Sequence, residues 1–302
     1  MRIPRPSSVP GKLQSMAMSS QQLPALPETQ RLSPRVVRIL GSNPGKFTLQ
    51  GTNTYLVGAG PSRILIDTGE GRPQWLAALK AALAREQCSI SAAIITHWHH
   101  DHVGGIAQLL ELAPATPVYK NRPQGAGQRD IADGQTFEAD GVRLTAVHTP
   151  GHTQDHVVLH LAEEDALFTG DNVLGHGTAV FEDLATYMAS LRRMHGLFSG
   201  RAYPGHGELI EDGPAKVDEY MRHRQLREEQ VVQVLRSDSR EEGWTPMELV
   251  KVIYRDVPEN LHPAAAAGVY QILKKLEGEG KVVDVGEDGL RWRLAVERAS
   301  AL

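Results

Sequence analysis

Short apolar runs set off by turn residues open the patterned part of the chain. From Val36 the segments VVRIL, NTYLVG and RILIDTG follow one another, each bounded by Gly, Pro or Asn, which predicts strands in an antiparallel meander. The period then changes. In PQWLAALKAALARE, Trp75, Leu76, Leu79 and Leu83 recur at helical spacing, so a helix lying on the sheet is predicted. The run SAAIIT reads as a buried strand and leads straight into THWHHDHVGG. A second cycle runs from VRLTAVHTPGH through VVLHLAEEDALFTGD to a helical FEDLATYMASLRRMHGLF and on to RAYPGHG. Strand, helix and strand in succession imply a layered α/β sheet. Each cycle ends in a loop holding His, Asp or both; the two are alike in architecture and not in wording.

A long polar helix is expected from Pro214, and SDSREEG after it reads as a linker. Beyond lie two helical segments, TPMELVKVIY and HPAAAAGVYQILKKLEGEG, then a hairpin, KVVDVGEDGLRWRLA, turning at Asp288 and Gly289. That is the outline of a small winged-helix-like unit over residues 243–302. At the other end, residues 1–30 hold five prolines, three basic residues and the single acid Glu28. The prolines oppose the amphipathic helix of an organelle presequence, so a disordered tail is expected.

Composition narrows the function. Of 302 residues, 41% are hydrophobic and 23% charged, with 32 basic against 36 acidic. This is an ordinary globular balance, not one built to coat nucleic acid or a membrane. No apolar run approaches the roughly 18 residues of a membrane span. The lone Cys88 excludes an internal disulfide and a cysteine-rich zinc module, and fits a reducing cytoplasm. Any metal must be held by His and Asp.

Residues 97–102 pack four histidines and one aspartate into six positions. One carboxylate cannot satisfy four rings, whereas imidazole and carboxylate together are the ligands of a Lewis-acidic metal. In an extended loop alternate residues point the same way, so His97 and His99 can share one metal. Where the chain turns into a helix, Asp101 and His102 are redirected toward a second, and Gly104 and Gly105 permit the tight backbone. One motif is too few for two sites, so further ligands are predicted at other strand ends. TPGHT supplies His152, FTGDN supplies Asp171 and YPGHG supplies His206. A consistent assignment puts His97, His99 and His152 on the first metal and Asp101, His102 and His206 on the second, with Asp171 shared. The other reading, a cluster of satisfied polar loop residues, must explain four agreeing motifs by chance.

Two divalent metals roughly 3.5–4 Å apart acidify a bridging water and polarise an acyl or phosphoryl oxygen, so hydrolysis is the expected reaction class. Zn2+, two per chain, suits the ligands best, with Mn2+ or Fe2+ as substitutes. Asp101 is also the candidate catalytic proton carrier. His100 is expected to face solvent, and His156 to pair with Asp155, with a place in the lining of the substrate pocket as its other reading. His148, His160, His176, His195, His223 and His262 read as structural or rim residues, and Cys88 as packing. Neither a GxSxG elbow nor a Walker loop is present.

The set and order of these motifs resembles the metallo-β-lactamase superfamily over roughly residues 35–210. The resemblance implies an αββα sandwich, with the hydrolase domain over residues 31–236. It also implies that Asp67 of ILIDTG orients a ligand histidine, where the residues alone equally allow a strand-end turn. The longer stretches NPGKFTLQGTNTYLVG, THWHHDHVGG, FTGDNVLGHGTAVFEDL and YPGHG are similar to the β-lactamase-like protein 2 branch, which includes fungal lactamase-type polyketide thioesterases. Two activities are implied. One is release of an aromatic polyketide from the acyl carrier protein of a nonreducing synthase, in the cytoplasm. The other is cutting of single-stranded RNA, in the mitochondrial matrix.

A strand-binding nuclease should offer a basic channel or stacking aromatics. Residues 243–302 carry eight Lys and Arg against nine Asp and Glu, and aromatics are 5% of the chain. The thioester reading is therefore favoured, with the winged unit as pocket lid or packing partner and Arg122, Arg192 or Arg193 available as a basic rim for an acidic carrier. A docking module with a vestigial metal site is the third reading, and the complete ligand set opposes it.

Overall fold

The computed structural model describes residues 23–287 and 289–295. Most of the expected tail (residues 1–22), Asp288 of the expected hairpin turn and residues 296–302 lie outside the described residues. The first sheet holds seven strands in chain order: β1 (Thr29–Arg31), β2 (Val36–Leu40), β3 (Asn53–Val57), β4 (Ser62–Ile66), β5 (Ser89–Ile95), β6 (Val118–Lys120) and β7 (Gln128–Arg129). From β1 to β4 the pairing is antiparallel, the predicted meander, and from β4 to β7 it is parallel. Thr29 and Gln30, at the end of the expected tail, are ordered in β1 against Ile39 and Arg38.

The second sheet holds β8 (Thr136–Ala139), β9 (Val142–His148), β10 (Val157–Leu161), β11 (Ala166–Gly170) and β12 (Ala202–Pro204), with β12 beside β11 and β8 at the far edge. On the outer face of the first sheet lie α1 (Pro73–Glu86), the single turn α2 (His100–Val103) and α3 (Ile106–Leu112). On the outer face of the second lie α4 (Leu184–His195) and α5 (Gly213–Ser237).

Alternation along the strands builds the layers. Ile64, Ile66 and Ile94 point inward to Leu159 and Phe168 of the facing sheet. Their neighbours Leu65, Ala93 and Ile95 point outward to Trp75, Leu79 and Leu109 on the helices. Because both faces are covered, these strands read as continuous apolar runs. In the second sheet Val158 and Leu167 face Leu191 and Met194 of α4 and Val217 and Tyr220 of α5. The result is the expected αββα sandwich.

The C-terminal unit comprises α6 (Pro246–Ile253), α7 (His262–Gly278), β13 (Val282–Asp284) and β14 (Trp292–Leu294). Thr245 and Glu248 close a capping box on α6, and Trp244 pairs through its backbone with Trp292 in an isolated antiparallel bridge. Its core residues Leu249, Ile272, Leu273 and Trp292 merge with those of α4 and α5 into one cluster, so the unit packs onto the helical layer. Among the described residues, no helix is long and apolar enough to cross a membrane.

Candidate metal centre

Every predicted ligand sits just beyond a strand on one rim of the sandwich. His97 and His99 follow β5, and Asp101 and His102 ride on α2. His152 follows β9, Asp171 comes directly after Gly170 of β11, and His206 stands two residues past β12. Strands β9, β11 and β12 run in the same direction, so their ends converge.

The seven residues gather into two groups. The first is His97, His99, His152 and Asp171, and the second is Asp101, His102 and His206, with donor atoms in each within 4.8 Å of one another. In the first, His97 Nε2 lies 2.9 Å from His99 Nδ1 and 3.3 Å from His152 Nε2, which is 3.1 Å from His99 Nδ1. Asp171 Oδ2 is 3.9 Å from His97 Nε2 and 3.6 Å from His152 Nε2. In the second, Asp101 Oδ2 is 3.4 Å from His102 Nε2 and 3.2 Å from His206 Nε2. Asp171 reaches this group too, at 3.5 Å from His102 Nε2 and 3.3 Å from His206 Nε2. It stands between the two groups.

These spacings fit a cation. Tetrahedral coordination with bonds of 2.0–2.1 Å places neighbouring donor atoms about 3.3 Å apart. The tautomers fit as well. His152 Nδ1 donates to the Val180 carbonyl at 2.8 Å, and His97 Nδ1 faces Thr96 Oγ1 at 3.0 Å, so each Nε2 carries its lone pair inward. His102 Nε2 and the buried Asp171 Oδ1 face each other at 3.5 Å without a hydrogen bond to either, a gap that a metal ion would satisfy.

Asp67 holds both roles considered for it. It ends β4 in a left-handed conformation, φ 60°, and its carboxylate accepts from His102 Nδ1 at 2.8 Å, from the Thr96 amide at 2.8 Å and from Thr96 Oγ1 at 2.9 Å. It therefore fixes the His102 tautomer.

The electrostatics divide the groups. Burial, with the neighbouring rings, holds His97 well below the usual imidazole range, and His99 is lowered to about 4 by burial and His152. Both rings are neutral donors at pH 7. In the second group burial also opposes charge, but Asp171 and Asp67 raise His102 well above its ordinary value, and Asp171 and Asp101 raise His206 to about 9. Asp171 is itself held well below the carboxylate range, since the His206 and His102 rings outweigh burial. Protons thus occupy positions a cation would take, and loading must expel them. Affinity is expected to rise with pH toward about 9, by up to roughly tenfold per unit for each proton displaced. Calorimetric titration in buffers of different ionisation enthalpy measures this, and loading without proton release between pH 6 and 8 would contradict it.

Other expectations fare unevenly. His100 and His176 are exposed, and Cys88 packs at the edge of the α1 layer. The expected pairing of His156 with Asp155 is incorrect. Asp155 instead accepts from Lys120 Nζ at 2.5 Å and Thr153 Oγ1 at 2.7 Å. Buried His156 stands behind the centre, where its Nε2 accepts the Asp171 amide hydrogen at 3.1 Å and its Nδ1 meets Thr149 Oγ1 at 3.2 Å. Thr52 was also missed by sequence reasoning. Its hydroxyl contacts Asp101 Oδ2 at 3.1 Å. Neither residue lies in a ligand motif, and only the adjacency of His156 to TPGHT hinted at its place.

Comparison with known proteins finds two family matches along the chain. Residues 47–206 match the family described as the metallo-beta-lactamase superfamily, and residues 245–292 match the beta-lactamase associated winged helix domain. An atrochrysone carboxyl ACP thioesterase from Aspergillus chevalieri is 46% identical over 92% of each chain. The lactamase-like protein vrtG from Penicillium aethiopicum is 49% identical over 86% of this chain and 87% of its own. Among solved structures, a beta-lactamase domain protein from Burkholderia ambifaria superposes with a TM-score of 0.76 at 18% identity, covering 91% of this chain and 96% of that one. A metallo-beta-lactamase family protein from Thermus thermophilus gives 0.69 at 23%, covering 87% and 100%. These two share the fold.

Proposed function

The chain belongs to the metallo-β-lactamase superfamily, and from that premise we propose that it is a dinuclear metal hydrolase releasing an aromatic polyketide from an acyl carrier protein by thioester cleavage. The observation that carries this reading is the 46% identity to an ACP thioesterase across 92% of both chains. His97, His99 and His152 would hold one cation, Asp101, His102 and His206 the other, and Asp171 would be shared. Zn2+ suits this donor set best, with Mn2+ or Fe2+ able to replace it. When bound, such a pair supplies Lewis acidity and a water acidified toward neutral pH.

The chain's own residues do the rest. Asp67, Thr96 and Val180 hold the imidazoles in the tautomers that leave lone pairs facing inward. Asp101, its side chain 23% exposed beside nearly closed His102 and His206, takes up the proton given up by the attacking water. The departing thiolate needs little protonation, so no second acid is required.

The rim suits an aromatic acyl group. Trp98, between two of the histidines, is 43% exposed, and Val180, whose carbonyl holds His152, is 58% exposed. Phe47, 70% exposed, projects from the loop between β2 and β3, whose base is tied by Asn43 to Thr52 at 3.0 Å. Such surface favours a flat apolar acyl chain over a phosphate backbone. In this reading residues 31–236 form the hydrolase domain, residues 243–302 are the winged unit, whose described helices α6 and α7 pack against it, and the protein works in the cytoplasm beside its carrier.

The test is hydrolysis of an aromatic polyketide carried as an acyl carrier protein thioester, with single-stranded RNA assayed in parallel. Thioester turnover is expected. RNA cutting without it would replace the substrate and leave the metal chemistry in place. Trp98→Ala should lose about tenfold in kcat/KM on the aromatic acyl group, ~1.4 kcal/mol of stacking and burial, while a short acetyl thioester changes little. An equal loss on both would remove Trp98 from acyl recognition.

A further inference from the structure

Behind the centre, on the α5 side, one arginine touches two elements that in turn hold the residues beside Asp171 and His152: the Ala179–Phe181 stretch and Tyr187 of α4. Arg224 Nη2 donates to the Ala179 carbonyl at 2.6 Å. The next residue, Val180, accepts from His152 Nδ1 at 2.8 Å. The guanidinium also lies 4.7 Å from the Phe181 ring centroid and 5.8 Å from that of Tyr187, and those two rings stack at 5.4 Å. The buried Tyr187 hydroxyl in turn donates to the Asn172 carbonyl at 2.5 Å. Asn172 directly follows Asp171, and its amide Nδ2 donates to Thr149 O at 2.9 Å.

We infer that Arg224 is a positioning residue for the metal centre, setting the placement of His152 through Ala179 and Val180 and that of Asp171 through Tyr187 and Asn172. The inference rests on the reading that the two groups bind metal. Its physical basis is that a ligand imidazole binds well only while its second nitrogen keeps its partner and its ring keeps its angle. A guanidinium suits the task because one rigid planar group can donate at its edge and stack on its face at once. A lysine ammonium can reproduce the donor and not the stacked plane.

The neighbourhood supplies a matched control. Arg227, one turn along α5, stacks on Tyr254 at 4.8 Å and donates to Gln230 at 2.8 Å. It makes the same kind of contact and, among the described residues, no hydrogen bond to a residue that holds a proposed ligand.

Metal affinity, measured by chelator competition on the full chain, tests the assignment without recourse to turnover. Arg224→Ala should bind Zn2+ about 10- to 100-fold more weakly than the parent, Arg224→Lys should fall between, and Arg227→Ala should match the parent. Co2+ loaded into the protein should show an altered visible spectrum in Arg224→Ala and an unchanged one in Arg227→Ala. Tyr187→Phe, which keeps the ring and cuts only the bond to Asn172, should weaken binding in the same direction and decides the matter if Arg224→Ala does not fold. Affinity in Arg224→Ala equal to the parent or to Arg227→Ala, or in Tyr187→Phe unchanged, would overturn the inference. A parent protein that binds neither Zn2+ nor Co2+ would instead overturn the metal reading beneath it.

Discussion

Asp171→Asn is expected to lose metal from both groups and at least about 10³-fold in turnover, some 4 kcal/mol of transition-state stabilisation, while its circular dichroism stays that of the parent. The reason is position. Asp171 stands 3.3 Å from His206, 3.5 Å from His102 and 3.6 Å from His152, so it is the one carboxylate within reach of both donor groups among the described residues. An amide keeps the shape and surrenders the charge that would offset the two proposed cations. Asp101→Asn makes the comparison, since Asp101 belongs to one group only; it should retain about half the metal. Elemental analysis after gel filtration reads both variants. Two tightly held ions and ordinary turnover in Asp171→Asn would refute the shared role.

The second large effect comes from a residue with no chemistry of its own. A Cβ built on Gly205, in YPGHG, would lie 2.2 Å from Asp171 Oδ1 and 3.1 Å from the Gly170 backbone. The carboxylate is restrained by the contacts of its Oδ2 with the His206 and His152 rings. Gly205→Ala should therefore displace Asp171, cutting activity by about 10²-fold or more and costing about 1–3 kcal/mol in overpacking. Gly205 is not in the left-handed region, so the strain is local to the centre. Chemical denaturation beside a metal assay separates the two terms. Full activity in Gly205→Ala would mean that the carboxylate is freer than its contacts imply.

The parts legible from the sequence were those governed by local pattern. Helix α1 follows its apolar spacing from Pro73 to Glu86, and the strands β2, β3 and β4 follow their short runs. The clustered His and Asp residues were legible because they lie in short motifs at strand ends, the dense His97–His102 stretch after β5 and His152, Asp171 and His206 each directly after a glycine. Residues 106–141 had no such pattern. They hold α3 and the short strands β6, β7 and β8, whose pairing depends on distant partners. Even so, Asp140 and Gly141 form a two-residue hairpin turn, with Gly141 at φ 70°, the same signal taken up at residues 288–289. His156 was misread because its partner was sought one residue away, whereas Lys120 claims Asp155 from 35 residues upstream. Thr52 and Arg224 act across 49 and 45 residues, distances at which a single sequence carries no pairing signal.

The placement of the donor groups on two sheets bears on how the protein is made. His97, His99, Asp101 and His102 emerge from the first sheet, and His152, Asp171 and His206 from the second. Neither group can close until the sheets have docked, because each draws donors from both. During synthesis the second group therefore stays incomplete until His206 has left the ribosome, and both groups wait on the docking of the two sheets. On the proposed ligand set, ion capture would be a closing event in maturation, and the ions would tie together two sheets that are far apart along the polypeptide.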